Sequence, residues 1–316
     1  RVWRGQCPRT NPPPYRHVTQ LAPAMPSKAA RYWLEGIAAR LGFAMLGALP
    51  LDLASALGGG LMRMLGPRLG VSKTARRNLG RAFPDLTPTQ IDNTVRAMWD
   101  NIGRTAAETP HLADFQCYQP EGRIEVVGTE HIDHARDDGI AGIFFSGHLA
   151  NFELLGLSLT QRDIDLVNTY RAANNPHVDK LVMRVREGVR GRHAAKGTSG
   201  GREIVRALKE GEHVAILIDQ KQNDGISVPF FGRDAMTNPS VAQLALKYRC
   251  PIIPGDIERL DGAHFRLTIH PPIEFEPSGD TDADVHEIMT QLNAMLEAWI
   301  RRRPEQWFWV HRRWPD

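Results

Sequence analysis

The stretch from residue 139 to residue 156 passes from a buried strand through a tight turn into a helix, and it limits the possible folds more than any other part of the chain. Residues 140–145 form an apolar run bounded by small residues, which predicts a buried strand. Residues 146–147 predict the turn, and the apolar periodicity of residues 149–159 predicts a helix packed on the sheet. His148 therefore lies where a strand ends and a helix begins, the edge at which open α/β sheets bind ligands.

A carboxylate follows His148 at a distance that allows general-base chemistry. On one continuous helix, the five residues from His148 to Glu153 turn the direction by about 140°, so the two side chains can meet only if His148 lies in the turn. A carboxylate that accepts one ring N–H fixes the imidazole tautomer and stabilises the imidazolium. In the alternative interpretation, His148 forms only local hydrogen bonds and Glu153 lies on the helix surface.

The sequence lacks a convincing serine or cysteine nucleophile. Its one G-x-S-x-G match, at residues 197–201, follows a basic and polar stretch instead of an apolar strand, and is interpreted as a loop. We therefore expect His148 to take its proton from a substrate, for example an alcohol that attacks an acyl donor directly.

The rest of the chain repeats a strand–helix rhythm, which predicts a mostly parallel α/β sheet with helices on both faces. The predicted strands are residues 165–170, 213–218, 252–254 and 265–269, and the predicted helices are residues 176–189, 201–210, 240–248 and 282–302. Three strands end in a polar residue, namely His148, Arg171 and Asp219, and polar groups gathered at one sheet edge are what a site requires.

The N-terminal part predicts a membrane-associating region in front of one large domain. Residues 1–24 are rich in proline and arginine and are predicted to be disordered, residues 25–70 to be hydrophobic helices, and residues 71–316 to be the catalytic domain. A spanning helix needs about 20 mostly apolar residues, and residues 38–65 reach that length only across Pro50, Asp52 and three glycines. The pattern favours an interfacial attachment, and the alternative is a buried helix pair.

Composition narrows the chemistry further. The net charge of +3 is mild, and the basic residues match no nucleic-acid-binding module, so a nucleic-acid role is not expected. The three cysteines and twelve histidines show no metal-ligand spacing, so no metal is expected and a reducing compartment is favoured. The C-terminal residues 306–314 mix aromatic and basic side chains, which suits either a membrane interface or packing on the sheet.

An ordered set of motifs resembles the bacterial lipid A biosynthesis acyltransferases, the lauroyl and myristoyl late acyltransferases of the wider glycerolipid acyltransferase superfamily. The motifs are ARRNLGRAFP at 75–84, WDNIGRTAAE at 99–108, GHLANFE at 147–153, YRAANNP at 170–176, GGREIVRALKEG at 200–211, DQKQNDGISVPFFG at 219–232 and QWFWVHRRW at 306–314. This sequence departs from the family pattern in two places. Its hydrophobic segment is broken, and it has Asn238-Pro239-Ser240 where many relatives have a glycine.

The resemblance implies a transferase that moves a fatty acyl chain from acyl carrier protein to a hydroxyl of a Kdo-bearing lipid A precursor, at the cytoplasmic face of the inner membrane. It implies no cofactor beyond the acyl carrier protein co-substrate, and it places the family's H-x4-D/E motif on His148 and Glu153. It also implies a substrate-binding role for Arg171.

Residue chemistry extends this site. Arg171 and Arg186 are expected to hold a lipid phosphate or a sugar carboxylate, and Asp219 a sugar hydroxyl. The oxyanion is expected to bind backbone N–H groups around residues 149–151, with Asn151 as a substrate-binding residue. The alternatives are solvated arginines and a loop-capping aspartate.

Two further surfaces have expected roles, and three other functions stay open. Phe230 and Phe231 line an acyl channel or pack in the core, and the basic helices of residues 72–109 suit an acidic carrier protein. The other functions are acylation of another glycolipid or a lysophospholipid from acyl-CoA, thioester hydrolysis, and a non-catalytic membrane-binding module.

Overall fold

The computed structural model describes residues 27–187 and 191–315. The segment predicted to be disordered, residues 1–24, lies outside them. Four helices come first: α1 (Lys28–Gly47), α2 (Leu51–Leu65), α3 (Ser72–Ala82) and α4 (Pro88–Glu108). The sequence Thr87-Pro88-Thr89-Gln90 predicts a helix start, and the structure confirms it: Thr87 and Gln90 form a reciprocal capping box at the start of α4, with Pro88 in its first turn.

The remaining elements alternate between strands and helices. They are β1 (Ile124–Val127), α5 (Thr129–Asp137), β2 (Ile143–Ser146), α6 (Glu153–Gln161), β3 (Leu166–Tyr170), α7 (Pro176–Glu187), β4 (Arg192–Ala195), α8 (Thr198–Lys209), β5 (His213–Leu217), β6 (Lys221–Phe230), β7 (Arg233–Thr237), α9 (Ser240–Tyr248), β8 (Ile252–Asp261), β9 (His264–Ile269) and α10 (Thr281–Arg302).

Seven of these strands form one sheet in the order β1-β9-β8-β2-β5-β3-β4, in which only β8 and β9 run antiparallel. Alternate residues of β2 enter opposite cores, because Ile143 and Phe145 pack on one face and Phe144 on the other. The predicted mostly parallel sheet with helices on both faces is therefore confirmed. The sequence of residues 225–237 predicts a loop, and the structure instead has the antiparallel hairpin β6–β7 in this region.

The N-terminal apolar segment folds as two helices separated at Pro50, so that neither is a continuous apolar span. Across the described ranges 27–187 and 191–315, no helix is both long enough and apolar enough to cross a bilayer. The three glycines lie inside α2, and two of them, Gly58 and Gly59, allow close packing on α4. A Cβ at Gly58 would lie 2.5 Å from the backbone oxygen of Gly103, so only glycine fits this contact.

Helices α1 and α2 each have exposed apolar side chains. Leu53, Leu57, Leu61 and Met64 follow one face of α2 at helical spacing and are about half exposed. On α1 the exposed apolar side chains are Trp33, Leu34, Leu41 and Met45. We call these eight side chains the apolar face.

Candidate active site

Strand register brings His148 and Asp219 together. Strands β2 and β5 are parallel neighbours in which Ser146 pairs with Leu217. His148 and Asp219 each lie two residues beyond the end of their strand, so parallel pairing places them side by side at the carboxyl edge of the sheet. His148 Nδ1 lies 2.7 Å from Asp219 Oδ1.

Two N–H groups hold the second carboxylate oxygen of Asp219. The backbone N–H of His148 donates to Oδ2 at 3.0 Å, and Trp307 Nε1–H donates to the same oxygen at 2.7 Å. Asp219 is fully buried. Burial by itself would raise the pKa of its carboxyl, but the charge and hydrogen bonds of His148 outweigh that effect and hold the pKa below its usual value. Asp219 is therefore an ionised partner that orients the imidazole.

The other nitrogen of His148 faces a cavity. The ring packs edge-on against Phe152 at 4.8 Å between centroids, and Phe308 lies at 5.7 Å. Gln220 Nε2 lies 3.2 Å from His148 Nε2 and 3.5 Å from His311 Nε2. The cavity has a volume of about 780 Å³, and its wall includes both His148 and Gln220. When Asp219 accepts a hydrogen bond from Nδ1–H, the lone pair of His148 is on Nε2, which can take a proton from a molecule in the cavity.

Glu153, the expected partner of His148, pairs with another residue. It is the first residue of α6, and its carboxylate accepts hydrogen bonds from Arg186 of α7, with 3.1 Å between Arg186 Nε and Glu153 Oε2. The expected contact between Glu153 and His148 is thus corrected: Asp219 occupies Nδ1, and Glu153 is held by Arg186. Both members of the Glu153–Arg186 pair line the cavity.

The loop between His148 and Glu153 is clamped by its neighbours. Helix α6 begins four residues later than expected, because Ala150 has a left-handed backbone with φ of 44°. Its N–H donates to Gln306 O at 2.9 Å, and its carbonyl accepts from Thr105 Oγ1 at 3.0 Å. The Leu149 N–H donates to Gly147 O. Two of the backbone donors expected to bind the oxyanion are therefore already occupied.

Asn151 belongs to a buried polar network. Its side chain is fully buried, and its Nδ2 donates to Glu108 Oε2 at 3.0 Å. Glu108 is also paired with Arg259 and accepts a hydrogen bond from Ser55 of α2. Among the described residues, Asn151 is not part of the cavity wall, so the structure corrects its expected contact with substrate to a contact that supports the loop.

The other expected site residues divide between the cavity and the core. Arg171 is exposed and lines the cavity directly after β3, and Arg186 lies over the Tyr170 ring at 5.6 Å. Phe230 and Phe231 are instead core residues, since Phe230 stacks on Trp314 with 5.7 Å between centroids. The C-terminal segment packs inward too, because Trp307, Trp309 and Trp314 are buried.

The family described as "Bacterial lipid A biosynthesis acyltransferase" matches residues 24–316. The chain belongs to this family. It is 28% identical over 295 residues to the lipid A biosynthesis palmitoleoyltransferase of Escherichia coli K12, a match covering 90% of this chain and 91% of the relative. It is also 28% identical over 305 residues to the lauroyltransferase of the same organism, covering 90% and 92%, and 26% identical over 288 residues to its myristoyltransferase, covering 89% and 86%.

A structural comparison matches the 1-acyl-sn-glycerophosphate acyltransferase of Thermotoga maritima at 14% identity, covering 84% of this chain and 98% of that one, with a TM-score of 0.35. Family membership makes the protein an O-acyltransferase of lipid A biosynthesis.

This acyltransferase has three site residues that sequence reasoning did not select: Gln220, Trp307 and His311. Gln220 directly follows Asp219 at a strand end, so the same edge argument could have found it. Trp307 and His311 lie within the C-terminal motif. Its mixture of aromatic and basic residues does not indicate that these two side chains reach the sheet edge.

Proposed function

We propose that this acyltransferase moves a fatty acyl chain from acyl carrier protein to a hydroxyl of a Kdo-bearing lipid A precursor, with His148 as the general base and no covalent acyl-enzyme. The observation that carries the proposal is the His148–Asp219 pair, in which Asp219 engages Nδ1 and His148 lines a cavity of about 780 Å³. Where the reaction uses no nucleophilic side chain, such a pair acts as the general base that removes the proton of the acceptor hydroxyl.

The steps follow from the geometry of the pair. An acceptor hydroxyl at His148 Nε2 loses its proton to the ring as its oxygen bonds to the thioester carbon. Asp219 stays ionised and stabilises the imidazolium through Nδ1. The C–S bond then breaks, and the phosphopantetheine thiolate takes the proton back from Nε2, which returns the imidazole to its starting state.

Glu153 has a positioning role in this proposal, through Arg186 and not through the imidazole. Its ion pair with Arg186 forms part of the cavity wall beside His148. Arg171 contributes a second guanidinium on the same wall. Guanidinium groups bind phosphate and carboxylate through paired N–H donors, so we propose that Arg186 and Arg171 hold the acidic headgroup and that Glu153 holds Arg186 in place.

The cavity wall also contains the apolar surface that a fatty acyl chain needs. Its aliphatic lining residues include Leu155, Leu157, Ile204, Val205 and Leu244.

The proposed docking of an acidic carrier protein depends on cations near the site. Two of the basic residues expected for it are already ion-paired, because Arg76 contacts Asp92 and Arg104 contacts Asp100, each at 2.6 Å. Their attraction for a carrier protein is correspondingly weaker than the sequence suggests.

We propose that the apolar face of α1 and α2 attaches the enzyme to the cytoplasmic face of the inner membrane. Exposed apolar patches mark interaction surfaces. Arg40 of α1, Arg63 of α2 and Arg68, in the turn that follows α2, are exposed cations suited to anionic headgroups. A lipid acceptor would then reach the cavity without leaving the bilayer surface.

The test is acyl transfer from purified acyl carrier protein loaded with chains of about ten to sixteen carbons, a range that varies how much apolar surface the cavity must bury. The acceptor is the Kdo-bearing lipid A precursor, and His148→Ala is assayed beside the unmodified protein. We expect transfer that peaks at one chain length and is lost in the variant. Transfer only from acyl-CoA, or thioester hydrolysis without any acceptor requirement, would contradict the proposed donor or reaction.

A further inference from the structure

A carboxamide lies between two imidazoles at the reacting end of the site. Gln220 Nε2 is 3.2 Å from His148 Nε2 and 3.5 Å from His311 Nε2. A carboxamide nitrogen carries two hydrogens, so it can donate one to each ring when both Nε2 atoms hold lone pairs. For His148 that tautomer follows from the Nδ1 contact with Asp219.

His311 is suited to hold the amide as a neutral acceptor. Burial lowers the pKa of His311, an effect to which the charges of His148 and Arg171 add and which Asp219 opposes. Its backbone is anchored, because Asn78 Nδ2 donates to the His311 carbonyl at 2.6 Å. A neutral, anchored ring accepts a hydrogen bond from the amide without competing with His148 for the substrate proton.

The oxyanion needs hydrogen-bond donors, and two N–H groups of the loop before α6 that were expected to supply them are already occupied. A tetrahedral intermediate places a negative charge on the former thioester oxygen, and effective donors lie 2.7–3.1 Å from it. The N–H groups of Leu149 and Ala150 donate to backbone carbonyls within the protein. The Gln220 amide, by contrast, lies beside His148 Nε2 on the cavity wall.

We propose that Gln220 is a further catalytic residue that donates a hydrogen bond to the thioester oxygen as it becomes negative, and that His311 is a positioning residue for its amide. The proposal rests on the proposed function. In the free enzyme the amide covers the lone pair of His148 Nε2. The acceptor hydroxyl displaces it, the hydroxyl proton moves to Nε2, and the released N–H turns to the carbonyl oxygen while its second hydrogen stays on His311. Gln220 transfers no proton.

The test compares Gln220→Met with the unmodified enzyme at saturating donor and acceptor. Loss of one oxyanion donor lowers kcat by about 10²- to 10³-fold, and we expect that loss with a change in KM of less than about threefold. Gln220→Glu is a second variant of the same size, in which a carboxylate between the two rings shifts the acid limb of the kcat/KM profile to higher pH. The matched control is Gln291→Met, at an exposed position of α10.

The positioning role of His311 is tested by non-additivity. We expect His311→Phe to lower kcat about tenfold in the unmodified enzyme and to have no further effect in the Gln220→Met background, because its action passes through the amide. A purely structural role for His311 would give independent, additive losses. Thermal unfolding of each variant monitors the fold separately.

The results separate this proposal from the proposed function. An unmodified enzyme that transfers acyl chains beside a Gln220→Met variant of undiminished kcat overturns the role of Gln220 alone. A loss confined to KM makes Gln220 a substrate anchor and also overturns it. Absence of transfer by the unmodified enzyme overturns both the proposed function and the role of Gln220. Imidazole ¹⁵N spectra of the free protein then still test the contact itself, which requires Gln220→Met to change the Nε2 signals of His148 and His311.

Discussion

Replacing Asp219 by asparagine changes one carboxylate oxygen to an NH₂ group, and the surrounding donors decide which way the new amide faces. Two N–H groups, from the His148 backbone and the Trp307 indole, donate to Oδ2. The amide oxygen must stay at that position, because an NH₂ there would meet two donors. The NH₂ group then faces His148 Nδ1, which must accept a hydrogen bond, and the ring proton moves to Nε2. The variant therefore loses the Nε2 lone pair that removes the substrate proton in the proposed mechanism.

The expected loss is large. The equivalent aspartate-to-asparagine change in a serine protease triad, which also produces the wrong tautomer, lowers kcat by about 10⁴-fold. We expect Asp219→Asn to lower kcat by about 10³- to 10⁴-fold, or about 4–5.5 kcal/mol of transition-state stabilisation. We expect Glu153→Gln to cost only about tenfold, mostly in KM, because its oxygens contact Arg186.

The assay is single-turnover transfer from loaded acyl carrier protein, with imidazole ¹⁵N spectra to identify the tautomer. A matched control is Asp256→Asn. Asp256 is a second buried aspartate paired with a histidine, with 2.6 Å between Asp256 Oδ1 and His270 Nε2, and neither residue lines the cavity. This control should leave kcat within about threefold, like most substitutions outside a site. The reasoning is refuted if Asp219→Asn keeps a tenth of kcat while Glu153→Gln loses a thousandfold, since Glu153 would then orient the imidazole.

Three further predictions concern membrane attachment and stability. Leu57→Glu with Leu61→Glu should weaken binding to anionic vesicles about thirtyfold, since two half-exposed leucines lose about 2 kcal/mol of burial in lipid. Arg259→Met should cost about 3–5 kcal/mol in denaturant unfolding by leaving the Glu108 charge buried without its partner, and Glu108→Leu added to it should restore most of that loss. Burial lowers the pKa of His213, so the free energy of unfolding should fall as pH drops below about 6.5, by up to about 1.4 kcal/mol per pH unit for this group.

Each of these has an outcome that contradicts it. Unchanged vesicle binding would remove α2 from the attachment surface. A double variant at Glu108 and Arg259 that is less stable than Arg259→Met would mean that the pair is not the cause of the loss. The pH effect has a defined sign: the unfolded chain takes up a proton on His213 that the folded chain excludes, so acid favours unfolding. His213→Gln should flatten the dependence, and an equally steep curve would assign it to other groups.

Local sequence patterns predicted the elements that surround the site. Residues 140–145 indicated a buried strand, and the capping signal at residues 87–90 located the start of α4 to the residue. His148 at a strand end was a strong indication of a sheet-edge site, because the carboxyl edge is where parallel α/β sheets bind ligands. The H-x4-E pattern also brought attention to Glu153, which does line the cavity.

The pairing of His148 with a carboxylate was decided at long range. Asp219 is 71 residues further along the chain and reaches His148 only because β5 is the neighbour of β2. Strand order is not encoded in the periodicity of either strand. Glu153 was the nearer candidate in sequence, but the left-handed backbone at Ala150 delays the start of α6 and α7 supplies Arg186 as its partner.

Local patterns were enough to predict a mostly parallel α/β sheet with a histidine at its carboxyl edge and an apolar N-terminal segment, because hydrophobic periodicity and turn chemistry are local properties. The complete fold was needed to show that Asp219 is the carboxylate that contacts His148, that Asn151 belongs to the Glu108 network, and that Gln220 lies between His148 Nε2 and His311 Nε2. Those contacts depend on strand order and on the packing of the C-terminal segment against the sheet, and their partners are separated by 43 to 91 residues. The physical reason is that side-chain hydrogen bonds act over about 3 Å, a distance that only the complete fold sets between residues so far apart in the chain.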